Sequence, residues 1–147
     1  MAEEQINALE QAFSDYRQDL ENYEKKRKPT DGLLGFGSSL KDDPCHERLD
    51  QRVERAVSQL CSESPSPEAA ERVVRFLLSA GSSDAWPLAA QWMLCAIERH
   101  SIPLIPFLAP GTAEEIKKEY TKRYRPWERL PVQNQVVREL KYRSERP

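Results

Sequence analysis

Along the chain the apolar positions recur at helical rather than strand intervals, and one stretch, Trp86 to Ile97 (WPLAAQWMLCAI), is apolar at nearly every position. A helix without a polar face is stable only when protein surrounds it, so this stretch predicts a central strut over about 86–99. The other periodic segments carry a single stripe each. In residues 2–28, Ile6, Leu9, Phe13, Tyr16, Leu20 and Tyr23 follow at steps of three and four, which predicts one long amphipathic helix. Paired in a parallel coiled coil, that seam would set Asp19 against Glu24 of the partner subunit. It therefore predicts packing within the chain, or an antiparallel pair.

Punctuation divides the remainder. Gly32, Gly35 and Gly37 make residues 29–43 a loop. Asp43-Pro44 opens a second helix striped by Cys45, Leu49, Val53, Ala56 and Leu60. SPSP at Ser64 to Pro67 ends it and opens a third, apolar at Val73, Val74, Phe76, Leu77 and Leu78 and stopped by Gly81. After His100, SIPLIPFLAPG predicts a buried, irregular crossover. Thr112 to Glu115 has the form of a capping box opening a fifth helix with Ala113, Ile116, Tyr120 and Tyr124 inward. Leu130-Pro131 opens a sixth, with Val132, Val136, Val137 and Leu140 inward and fraying expected beyond Tyr142. The expectation is one all-α domain of five to six helices: the long helix 2–28, the loop 29–43 and a helical core 44–147.

The 147 residues suffice for a core without staples. No apolar run reaches the length of a membrane span, and the acidic N-terminal segment is unlike a secretory leader, so a cytoplasmic protein without membrane contact is expected. Cys45, Cys61 and Cys95 have neither disulfide-framework nor CxxC spacing, which predicts reduced thiols. Charge alters the picture more. Residues 117–147 hold 10 basic and 4 acidic side chains, residues 1–116 hold 12 and 20, and the net charge is only -2. The two parts either attract each other within the fold or leave a basic face for an anionic partner.

Candidate chemistry lies in three places. Asp42, Asp43, Cys45 and His46 crowd one helix start, where a thiol can be activated, although the carboxylates oppose this and Cys45 sits on an apolar stripe. Leu33, Leu34 and Phe36 are apolar in a loop, either folded over the core or docking a partner; their glycines do not form a phosphate loop. Lys117, Lys118, Lys122, Arg123, Arg125 and Arg129 alternate with Tyr120, Tyr124 and Trp127, a pattern suited to phosphates and stacked bases if the rings are exposed, and to a solvated helix face if they are core. Cys45, His46, Cys95 and His100 lack metal-ligand spacing, so neither metal nor cofactor is expected.

At DDPCHER (42–48) and RLPVQ (129–133) the chain loosely resembles small all-helical bacterial proteins of unknown function. That resemblance implies a helical fold and a cytosolic setting, and brings no activity or site residue. The expected role is a non-enzymatic interaction or regulatory module that meets a protein partner or a second copy of the chain. A small enzyme or metal protein at Asp43, Cys45 and His46 is the first alternative, and a nucleic-acid-associated protein the second.

Overall fold

In the computed structural model, which describes residues 2–26, 44–80, 86 and 88–146, all regular structure is helical. The α-helices are α1 (Ala2–Lys26), α2 (Pro44–Ser62), α3 (Pro67–Ala80), α4 (Leu88–Ile97), α5 (Pro110–Arg123) and α6 (Pro131–Ser144). Two 3-10 segments, Glu98–Phe107 and Pro126–Glu128, join α4 to α5 and α5 to α6. The chain is a single all-α domain, as its patterning predicts.

The first seam packs inward. Ile6, Leu9, Phe13, Tyr16 and Leu20 are all buried, and α1 lies along α2. Arg48 meets Asp19 at 3.1 Å and Arg52 meets Asp15 at 2.7 Å, so one helix ascends by a turn as the other descends and the pair is antiparallel. The α2 stripe, Cys45, Leu49, Val53, Ala56, Val57 and Leu60, faces this seam and the centre. At the α2–α3 turn, Ser64 takes φ 51°, Pro67 fills the first helical turn, and the Ser66 hydroxyl accepts the Ala69 N–H at 3.2 Å.

The strut is shorter and less enclosed than its apolar run suggests. In α4, Ala90, Leu94 and Ile97 are fully buried, yet Ala96 is exposed and Gln91, Met93 and Cys95 are half-buried. Much of the centre is instead the 3-10 crossover, which packs against α2, α3, α4 and α6. Pro103 and Pro106 explain the geometry: neither has an N–H for an α-helical ladder, and their spacing of three matches the 3-10 period. Leu104, Ile105 and Leu108 are buried there, each contributing about 1.5–3 kcal/mol.

Two helix ends depart from expectation. The capping box at Thr112 does not form, because α5 starts earlier, with Pro110 pre-organised in its first turn after extended Ala109. The sixth helix continues past Tyr142 to Ser144, held by Arg143, whose Nε donates to the Leu108 carbonyl at 2.7 Å. Leu33, Leu34, Phe36, Asp42 and Asp43 lie outside the described residues.

Candidate functional site

Where the α4 strut passes into the crossover, Glu98 is completely buried. An ionised carboxylate there would be costly without partners, and α5 and α6 supply them. Tyr120 donates to its Oε2 at 2.5 Å, and the Tyr124 hydroxyl reaches Oε1 at 3.4 Å. The two tyrosines, one helical turn apart, meet edge to face at 5.0 Å. The buried side chain of Gln133 also acts on Glu98, favouring its charged form, while its Oε1 accepts the Leu130 N–H at 2.9 Å and thereby caps α6. Burial nevertheless drives the Glu98 carboxyl up to about 7, against the lowering pull of these bonds and of the Arg123 charge. Burial and the Glu98 charge raise both tyrosines, which stay protonated donors. With Glu98 and Tyr120 shut from solvent, this cluster fastens the α5–α6 hairpin to the crossover.

A second polar cluster joins α2 to the crossover. Asp50 Oδ1 lies 2.8 Å from His100 Nε2, and Asp50 Oδ2 accepts from Arg99 at 2.9 Å. These two partners hold the Asp50 carboxyl below its ordinary range despite the opposing effect of burial. His46, one turn before Asp50, packs its ring against Tyr16 with centroids 6.3 Å apart, and burial lowers its pKa and favours the neutral form. Cys45 is buried on the α2 stripe, out of reach of solvent. Burial raises the Cys61 and Cys95 thiols, with the Glu98 charge adding to the effect at Cys95. Among the described residues no group of three or more metal-ligating side chains is gathered, so Cys45, His46, Cys95 and His100 do not converge.

The accessible chemistry lies on the α5–α6 hairpin. Four acidic residues of α1 find arginines on α2 and α3: Arg72 meets Glu3 and Glu10, Arg48 meets Asp19 and Arg52 meets Asp15. Arg75 of α3 also draws off two acids of α5, Glu119 at 2.7 Å and Glu115 at 3.6 Å. Among the described residues only one of the ten cations in 117–147 is in an ion pair, Lys117 with Glu114. Between the two parts the described ion pairs are Lys117–Glu114 and Arg75–Glu119, and the Arg123 charge also acts on Glu98.

The six anion-binding candidates separate by role. Lys117 is paired, Arg123 donates to the Leu78 carbonyl at 2.9 Å, and Arg129 donates to the Tyr124 carbonyl at 2.9 Å. Lys118, Lys122 and Arg125 are exposed at steps of four and three, on one outward stripe of α5 that runs into the turn. Beyond it, Trp127 is 75 % exposed on the Pro126–Glu128 turn, with the Arg125 guanidinium 5.8 Å from its ring centroid. On α6 the outward stripe is Pro131, Gln135, Arg138 and Tyr142, flanked by exposed Lys141. Tyr142 is 55 % exposed, with Arg146 stacked at 4.0 Å.

The interleaved tyrosines of the basic segment, Tyr120 and Tyr124, are thus turned to the core, while Trp127 is not. Sequence reasoning missed Arg138, Lys141, Tyr142 and Arg146, although the 131–135–138–142 spacing opposite Val136 and Leu140 could have shown that face. It also missed Glu98, whose partners are remote in the chain. No family model, curated protein or solved structure matches the chain, and among the described residues no helix is long and apolar enough to cross a membrane.

Proposed function

We propose that this protein is a non-enzymatic interaction module that takes an anionic partner on the outward face of its α5–α6 hairpin. The observation that carries this reading is Trp127, three-quarters exposed on a short turn and beside Arg125, whose guanidinium is in no ion pair among the described residues. Tryptophan and arginine are the residues most enriched where binding energy concentrates, and the exposed Lys118 and Lys122, in no ion pair among the described residues, present their field to a ligand. A cytoplasmic setting belongs to the same proposal, supported by three cysteines that form no disulfide. An enzyme built on Cys45 and His46 is less well supported, because that thiol is sealed and that imidazole is packed on Tyr16.

Retention on immobilised heparin tests the reading. Wild-type protein is expected to be retained at low salt despite its net charge of -2, and to elute as salt rises. The K118E/K122E/R138E variant, with unchanged circular dichroism, is expected in the flow-through. Wild-type protein in the flow-through at low salt would overturn the proposal.

A further inference from the structure

We propose, resting on the anion-binding reading above, that the occupant of the hairpin face is a single-stranded nucleic acid, its bases stacked on Trp127 and Tyr142 and its phosphates met by Lys118, Lys122, Arg138 and Lys141. Among the described residues, Trp127 and Tyr142 are the only exposed large hydrophobics. Each has an arginine guanidinium over or beside its ring. An unpaired base needs one open π-face and a nearby positive charge, and stacking of this kind tolerates any sequence.

The distribution of these groups distinguishes the single strand from other polyanions. A protein partner seeks an apolar patch with a polar rim, whereas these two rings stand apart at the two ends of α6, each with one arginine at its ring. They lie at opposite ends of α6, Trp127 before its first turn and Tyr142 in its last. That helix is roughly 20 Å long at 1.5 Å per residue, so the strand would span several nucleotides between the two stacks. A duplex keeps its bases stacked on one another and offers the rings no free face; its reading requires an element that enters a groove. Here the exposed cations lie on the outward stripes of two antiparallel helices and the rings at their ends, an arrangement that follows a flexible backbone.

The test uses the full chain and a fluorescein-labelled 12-nucleotide poly(dU), followed by anisotropy, with tryptophan emission read in parallel against unlabelled oligonucleotide. Binding is expected at low salt, with log K falling against log salt at a slope of about -3 for four phosphate contacts on a single strand. Emission should be quenched on binding, and the quenching lost in Trp127→Phe, which keeps a stacking ring but removes the reporter. Trp127→Ala should weaken binding about tenfold or more, the effect of one lost stack. A duplex of the same length and polyglutamate should compete poorly. If heparin retains the protein but duplex and polyglutamate compete as well as poly(dU), or Trp127→Ala changes nothing, the stacking proposal falls while the anion-binding module stands. If neither heparin nor oligonucleotide is bound, both fall.

Discussion

The Tyr120 hydroxyl lies 2.5 Å from the Glu98 carboxylate, joining α5 to the start of the crossover in a place that water does not reach. Hydrogen bonds to a charged acceptor are short and strong, and this one is supported by Tyr124, 3.4 Å from the other carboxylate oxygen. The hairpin that carries the exposed cations is therefore held from beneath by a titratable group.

That group makes stability depend on pH in a defined direction. The folded-state pKa of Glu98 is raised to about 7 from 4.5, so the native state binds this proton more tightly than the unfolded chain. The associated stability is fully present below about pH 4.5 and is lost as pH rises through about 7, levelling off roughly one unit above it. A shift of this size corresponds to about 3 kcal/mol. Glu98→Gln keeps the shape and abolishes the titration. In urea melts at pH 5, 6, 7 and 8 it should remove the decline that wild type shows over this range, and a wild-type profile as flat as that of Glu98→Gln would refute the assignment.

The two tyrosines should differ in importance. Tyr120→Phe takes the short bond from a carboxylate that cannot turn to solvent, so it should cost about 1–3 kcal/mol at pH 8. Tyr124 is half-buried and its hydroxyl is 3.4 Å away, so Tyr124→Phe should cost less. Both penalties should shrink at pH 5, where the acid is neutral and its need for donors is smaller. Denaturant midpoints of the two variants at the two pH values decide this, and equal costs would show that the second bond matters as much as the first.

How far the chain announces this arrangement depends on distance along it. The α1 seam, the α2 and α3 stripes and the breaks at SPSP and Leu130-Pro131 are legible because helical period and proline act locally. Glu98 is not: a lone acid at the end of an apolar run reads as the point where a helix meets water, and its partners arrive 22, 26 and 35 residues later. Gln133 gives a fainter signal, since it stands three residues before Val136 and seven before Leu140, in register with the buried stripe. Trp127 is illegible for another reason. It lies between two helices, where no period assigns a side chain to core or solvent.

The α2–crossover link should also respond unequally to its two partners. Asp50 accepts from His100, which is buried, and from Arg99, which is about half exposed. Asp50→Ala leaves the buried imidazole without its acceptor and should lower stability by about 1–3 kcal/mol. Arg99→Ala removes the wetter ion pair and an exposed bond to the Ala96 carbonyl, and should cost under about 1 kcal/mol. Thermal melts at pH 7 compare the two, and an Arg99→Ala penalty as large as that of Asp50→Ala would place the strength of the link in the ion pair instead.

Trp86 and Trp127 separate folding from binding. Trp86 is buried against Phe13 and Tyr16, with ring centroids at 6.3 and 5.7 Å, and Arg17 lies 4.1 Å over its face. Its removal leaves a cavity where α1 meets the start of the strut, so Trp86→Ala should cost about 3–5 kcal/mol. Trp127 is three-quarters exposed and has little packing to lose, so Trp127→Ala should change stability by less than about 0.5 kcal/mol. An exposed aromatic residue that can be deleted without loss of stability is one whose energetic role lies outside the fold. Urea midpoints of the two variants, measured beside heparin retention, test both halves of this argument. A Trp127→Ala chain as destabilised as Trp86→Ala would make that ring part of the core, and the hairpin would then lose its claim as the binding face.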